Sequence, residues 1–232
     1  MKRWGKMAKT FTRIGKDIVM AVKAGGPNPD ANAKLRVIMQ NAKGANMPKD
    51  RVEAAIKRAT SRDEKDYEEV VYEGYGHHGV AILIETSTDN INRTVANIRS
   101  YFTKYGGTLG TSGSLNFVFE RKAVFHLSGE NVDIEELELE MIDHGAEEIE
   151  QDDTEIIIYT AFEDFGRMQK ALEDKKLHII SSELQRFPLS TVEVTAEQRA
   201  EIDKIIDKLD EDDDVNEVYT NMVGGLGDDD EA

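Results

Sequence analysis

The sequence predicts an α+β (mixed α/β) chain of three domains. A three-helix N-terminal bundle is followed by two ferredoxin-like βαββαβ domains, one inserted in the other. Three observations carry this. Apolar residues recur at helical spacing throughout the N-terminal quarter. Further on, short apolar runs rich in β-branched residues alternate with amphipathic stretches. The order of those segments from Ala123 to Arg186 is strand, helix, strand, strand, helix, strand, the split-βαβ arrangement.

The first helix runs roughly from Lys2 to Lys23. Met7, Phe11, Ile14, Ile18 and Val22 make one apolar stripe. Lys2, Lys6, Lys9, Arg13 and Lys16 repeat at the same spacing and fall almost opposite it, so one face can pack while the other meets phosphates. Gly25, Gly26, Pro27 and Pro29 end the helix. A second helix, Asp30 to Lys43, buries Leu35, Ile38, Met39 and Ala42, with Arg36 and Lys43 elsewhere. Gly44 and Asn46 suit left-handed positions after it, and Pro48 suits the first turn of a third helix. That helix buries Val52, Ala55, Ile56 and Ala59, while Arg51, Arg58 and Arg62 line another face. The second and third helices are compatible with a helix-turn-helix, as is any small bundle of this kind.

Charged residues Ser61 to Glu69 read as a linker. Then come a strand at Val80–Ile84, a helix at Asn90–Tyr105 and a strand at Leu115–Phe119. The inserted domain follows: strand Ala123–Leu127, helix Val132–His144, strands Ala146–Gln151 and Thr154–Thr160, helix Phe162–Lys175, strand Leu177–Arg186. Val192–Val194 is a short strand. Thr195 opens a helix through a capping box with Gln198, and Val215–Tyr219 alternates as a last strand. Joined to the segments from 80 to 119, these make the second βαββαβ. The expected domains are 1–66; 67–121 plus 189–222; 122–188; and a disordered acidic tail, 223–232.

Charge is divided along the chain. The net charge is −17, yet residues 1–62 hold 15 of the 29 Lys and Arg and only 4 of the 46 Asp and Glu. The N-terminal quarter is therefore near +11 and the remainder near −28. Such asymmetry points to a polyanion-binding module joined to a body that repels polyanions. The competing reading is a basic domain docked on an acidic one. Cysteine is absent, which excludes disulfides and thiolate chemistry and suits a reducing compartment; a cytoplasmic location is expected. No apolar run is long enough to span a membrane.

Several motifs have both a chemical and a plain reading. Gly106-Gly107-Thr108-Leu109-Gly110-Thr111-Ser112-Gly113-Ser114 follows a helix and precedes a strand, the reverse of a phosphate loop, and lacks its lysine. A mobile loop that contacts a partner is the better expectation, with Gly106, Gly107, Gly110, Ser112 and Gly113 as its functional residues. His77 and His78 are adjacent and point apart on a strand without a third ligand, so no metal is expected. Asp89 to Thr94 reads as an N-cap, from which Arg93 can reach an anion. The acidic run Asp210–Asp214 lacks calcium-loop spacing and reads as a solvated turn. His126, His144 and His178 are scattered, and no nucleophile, base and orienting group stand together. No enzyme activity, catalytic residue or cofactor is expected.

Asn46-Met47-Pro48-Lys49-Asp50, Tyr72-Glu73-Gly74-Tyr75-Gly76, Thr88-Asp89-Asn90-Ile91-Asn92-Arg93-Thr94, the glycine-rich stretch 106–114 and Glu211-Asp212-Asp213-Asp214-Val215 share one likeness. In order, and over almost the whole chain, they resemble the YebC/PmpR family of probable transcriptional regulatory proteins, which has a mitochondrial translational-activator relative. The resemblance implies three domains around a cleft. It implies DNA binding and transcriptional control for some members, and for others relief of ribosome stalls at proline-rich stretches. Family members usually begin with a further basic arm of about a dozen residues, a region within which this chain starts. His77-His78 stands where Pro and Gly are commoner.

The expected partner is nucleic acid, DNA or structured RNA, with the ribosome as an alternative and no membrane. The expected binding residues are Lys2, Arg3, Lys6, Lys9, Arg13, Lys16, Arg36, Lys43, Lys49, Arg51, Arg58, Arg62 and Arg93. A DNA-binding transcriptional regulator is the first reading. A translation factor on ribosomal or transfer RNA is the second, and a protein-interaction scaffold the third.

Overall fold

The computed structural model describes residues 2–152 and 154–226, with side chains from Met7 onward. Residues 227–232 of the expected acidic tail lie outside the described residues. The chain begins with three helices, α1 (Lys2–Gly25), α2 (Ala33–Gly44) and α3 (Lys49–Ala59). Strands β1 (Glu68–Tyr75) and β2 (Ala81–Thr88) precede α4 (Ile91–Lys104), β3 (Thr108–Leu109) and β4 (Phe119–Ser128). Then come α5 (Ile134–Ile142), β5 (Ala146–Asp152), β6 (Glu155–Ala161), α6 (Phe165–Asp174) and β7 (Ile179–Pro188). The chain continues with β8 (Val192–Glu193), α7 (Ala196–Asp210), β9 (Val215–Thr220) and β10 (Met222–Val223). The predicted α+β class is the class observed. The chain forms two compact units: one holds residues up to Glu64 together with Arg121–Arg186, the other Lys65–Glu120 with the chain from Phe187 onward.

In the first unit, α1 packs on α2 and α3. Ile14, Ile18, Val22, Leu35, Ile38, Ala42, Val52, Ala55 and Ala59 are buried. Asn32 builds the corner: its Oδ1 accepts from Leu35 N (3.1 Å) at the start of α2, and its Nδ2 donates to Ala21 O (2.8 Å) and Gly26 O (2.9 Å). One side chain thus satisfies a helix-start amide and ties it to two carbonyls around the end of α1. The sheet of this unit has the order β5-β6-β4-β7. That is the 4-1-3-2 order of a split-βαβ unit read from the other edge. Phe125 lies opposite Ile158 on the antiparallel β4–β6 pair. With Leu127 and Ile156 they face Leu137, Met141, Met168 and Leu172 of α5 and α6.

The helical bundle meets this sheet at β7, an edge strand. Asn41 of α2 donates to Ser182 O and accepts from Ser182 N, both at 2.8 Å. Its amide therefore imitates a neighbouring strand along that margin. Gly44 permits the approach: a Cβ there would lie 2.2 Å from Ile180 O.

The second unit carries a sheet of order β3-β1-β2-β9. One face packs on α4 and α7 through Tyr72, Ile82, Ile84, Ile98, Phe102, Ile202, Ile205 and Leu209. The other face buries Ala81 and Leu83 against Leu115, Val118 and Phe119. Burial on both faces explains the unbroken apolar run of β2. Read as β9-β2-β1-β3 and numbered along the chain, this sheet has the order 4-2-1-3, with the antiparallel β1–β2 pair at its centre, a different chain order from the one expected.

Two corrections follow. Leu115–Phe119 is not a strand of this sheet: residues 115–118 form turns, closed by Val118 N→Leu115 O and Phe119 N→Leu115 O, and Phe119 is the first residue of β4. Its buried apolar residues, Leu115, Val118 and Phe119, recur at i, i+3 and i+4, which is turn spacing, and Phe117 is exposed. The inner place is taken by β1, which sequence reading places partly in the linker and partly in a loop, because three glutamates and Gly74 blur its alternation. Likewise β8 pairs in parallel with β10 in a separate two-stranded sheet.

Candidate nucleic-acid interface

The expected cations divide into three groups. Those on α2, α3 and just beyond are exposed: Arg36, Lys43, Lys49, Arg51, Arg58 and Arg62. Lys34 and Lys57, which sequence reading did not select, are exposed as well. Lys49 pairs with Glu53 one turn on, Arg58 with Glu64 at 3.1 Å, and Arg36 with Glu173 at 3.5 Å. Among the described residues no carboxylate partner is seen for Lys43, Lys57 or Arg62. Arg51 lies over the Phe11 ring, 5.7 Å from its centroid. That contact orients the guanidinium without neutralising it. Arg51 and Arg58 share a helix face two turns apart, roughly 10 Å along the axis. Pro48 caps α3 without a side-chain acceptor; its carbonyl takes the Arg51 amide, and the amides of Lys49 and Asp50 stand at the helix start where an anion is favoured.

The second group lies on α1. The side chains of Lys2, Arg3 and Lys6 lie outside the described residues, and Lys9 is half-buried. Arg13 pairs with Glu183 of β7 at 3.5 Å, and Lys16 is only 8% exposed. The expected basic stripe Lys2, Lys6, Lys9, Arg13 and Lys16 is corrected at its far end, where Arg13 and Lys16 are covered. α1 packs on α2 and α3 on one side and reaches the β7 carboxylate on the other, so residues 13–22 are buried or half-buried all round, and of its second half only the last turn, from Lys23, is exposed. Helical periodicity detects two stripes but not a second layer.

The third group is Arg93 alone, in the second unit. Asn90 caps α4 by accepting from Arg93 N at 3.0 Å. The Arg93 guanidinium donates to Asp214 Oδ2 (2.7 Å) and Asp89 Oδ1 (2.7 Å). Asp214 is 6% exposed and also accepts from the Thr94 hydroxyl (2.8 Å) and from that of Thr88 (3.2 Å). Lys65 donates to the other oxygen of Asp89 at 2.5 Å. Hydrogen bonds from Lys65 and then Arg93 hold the Asp89 carboxyl down at about 2. The same two carboxylates, Asp214 first, push the Arg93 pKa upward. The anions that Arg93 meets are therefore the chain's own.

The glycine-rich stretch is tied to β1 by Glu73, a residue sequence reading did not single out. Glu73 is 5% exposed. Its carboxylate accepts from Gly113 N (2.9 Å), Leu115 N (2.6 Å) and Ser114 Oγ (3.4 Å), and its backbone carbonyl accepts from Gly110 N (2.7 Å). Gly106 and Gly113 have positive φ. A Cβ on Gly107 would lie 2.8 Å from the Phe102 ring. The loop expected to be mobile is thus pinned at four points, with Thr111, Ser112 and Phe117 left exposed. The available signal was a lone glutamate between apolar and glycine positions.

His78 Nε2 lies 2.6 Å from Glu201 Oε2 on α7, and His78 has φ of 61°. Among the described residues no group of three or more His, Asp or Glu stands ready to hold a metal. No helix is long and apolar enough to cross a membrane.

A small helical cationic module together with two four-stranded sheets, each packed on two helices, defines the class. Residues 1–62 match the TACO1/YebC protein N-terminal domain, and residues 67–222 match the TACO1/YebC second and third domain. The chain belongs to the TACO1/YebC family. Among similar proteins, one from Flavobacterium johnsoniae is 59% identical over 222 residues, covering 96% of this chain and 94% of that one. One from Myxococcus xanthus is 52% identical over 227 residues, covering 96% and 95%. Both are named probable transcriptional regulatory protein. The crystal structure of a conserved hypothetical protein from Aquifex aeolicus superposes with a TM-score of 0.77 at 37% identity, covering 93% of this chain and 90% of that one.

Proposed function

We propose that the protein is a nucleic-acid-binding regulator of gene expression, acting first on DNA as a transcriptional regulator. One observation carries the reading: the exposed, carboxylate-poor cations Lys43, Arg51, Lys57 and Arg62 of the helical bundle. Exposed Lys49 extends the same charge, and Lys2, Arg3, Lys6 and Lys9 add to the basic count of the same N-terminal segment. Phosphate neutralisation by such residues releases counterions, so affinity falls with salt. The name shared by the relatives supports the transcriptional level.

The test is a titration with a promoter fragment and with random DNA of equal length. The triple variant K43Q/K57Q/R62Q should bind about tenfold more weakly or worse. Its salt dependence should be shallower by roughly three counterions. Unaltered affinity with an intact circular dichroism spectrum would reject the reading.

One observation favours a second reading, in which the target is structured RNA on the ribosome. The exposed residues of α3 are Lys49, Asp50, Arg51, Glu53, Ala54, Lys57 and Arg58. They include no Asn or Gln for base edges, and a phosphate grip without base reading suits A-form RNA. Co-sedimentation with ribosomes, reversed by high salt, together with equal affinity for promoter and random DNA, would select this reading.

A further inference from the structure

Helix α5 turns two aliphatic side chains outward. Leu139 is 73% exposed and Ile142 is 62% exposed, although the same helix buries Leu137 and Met141 in its core. At 100° per residue, Ile142, Glu135 and Leu139 fall within an arc of about 60° on the side away from the sheet. Glu138 and Asp143 border that arc, and Glu136 lies just beyond it. All four of these carboxylates are exposed, and none has a cationic partner among the described residues. By contrast, Glu140, nearer the sheet, is paired with Lys175.

The surrounding sequence states the charge of any occupant. Between Lys122 and Arg167 there are 15 Asp and Glu and no Lys or Arg. A nucleic acid or an anionic membrane is repelled by such a surface. A neutral apolar partner would bury carboxylates without compensation, which costs more than two aliphatic side chains return. An amphipathic helix with an apolar ridge flanked by Lys and Arg satisfies both demands. Its aliphatic residues cover Leu139 and Ile142, and its cations meet Glu135, Glu138 and Asp143.

We infer that the outward face of α5 is a docking site for a lysine- or arginine-rich amphipathic helix of another protein. Segments of that kind are common in proteins that bind nucleic acid. The chain would then join two contacts: phosphates on its cationic helices, and a basic protein segment on α5.

The test uses the full chain and a fluorescein-labelled Leu/Lys peptide of about 18 residues, long enough to form a helix. A scrambled peptide of the same composition lacks the apolar ridge. Anisotropy at physiological salt should show saturable binding of the amphipathic peptide and about tenfold weaker binding of the scrambled one. L139S/I142S should lose about tenfold in affinity while its thermal melt stays that of the parent, because both side chains are exposed. E135Q/E138Q should weaken binding and flatten its salt dependence. Equal binding of both peptides would overturn the proposal, as would undiminished binding by L139S/I142S. A wild-type dimer that L139S/I142S dissolves would overturn it too, since the occupant would then be a second copy of this chain.

Discussion

Asp214 shows how a single side chain is kept ionised inside a fold. Two threonine hydroxyls and the Arg93 guanidinium surround a carboxylate that water barely reaches. Replacing Arg93 by Ala takes the guanidinium away from that buried carboxylate. Because Arg93 itself is partly exposed, the expected loss is about 2 kcal/mol rather than the larger cost of a fully buried pair, measured by urea unfolding. Asp89 adds a pH dependence whose sign is fixed by its depressed pKa of about 2. Its contribution is present at neutral pH and disappears as pH falls from the ordinary carboxylate range toward about 2. The stability gap between the parent and D89N should therefore close over that interval, and a gap of constant size would contradict the assignment. Residue-level chemistry was unevenly legible. The Thr195–Gln198 capping box is present as expected, because both partners lie within one turn. The ties of Arg93 to Asp214 and of Glu73 to the glycine-rich stretch join residues distant in sequence, and no local pattern announces them.

Among the elements, the glycine-rich loop and α2 are each held by one hydrogen-bonding side chain. Substituting Glu73 by Ala removes the acceptor for two backbone amides and should cost about 2 kcal/mol. The hydrogen exchange of Gly113 and Leu115 should rise while that of α4 stays unchanged. Asn41→Ala should cost about 1–3 kcal/mol, since Ser182 loses partners for both its N–H and its carbonyl. Strongly periodic elements were readable in advance: α1 to α7 each overlap the expected helix, and so do the four strands of the inserted βαββαβ segment. What failed was weakly patterned. β1 hides behind its glutamates and Gly74, and Leu115, Val118 and Phe119 pack as a turn over the back of a sheet. Periodicity reports which residues are buried, but not which sheet buries them.

For the whole molecule, charge is the governing quantity. A net charge of −17 makes the folded state self-repulsive at low ionic strength. Moderate salt should therefore raise the melting temperature by a few degrees, about 2–4 °C, while weakening any phosphate contact. Opposite responses to one variable separate stability from binding in a single salt series. The uneven division of charge along the chain was plain in the sequence. That Arg13 and Arg36 would face Glu183 and Glu173 was not, because it depends on the bundle meeting β7 and α6. The Asn41 amide on β7 has a consequence for handling and for survival in a crowded cell. A bare strand margin invites copies of a protein to stack into fibrils. Here one margin is occupied by a helix-borne amide, and the opposite one, β5, bristles with Glu147, Glu148, Glu150 and Asp152. Concentrated solutions should thus stay clear, and Asn41→Ala should be the change that first makes them cloud.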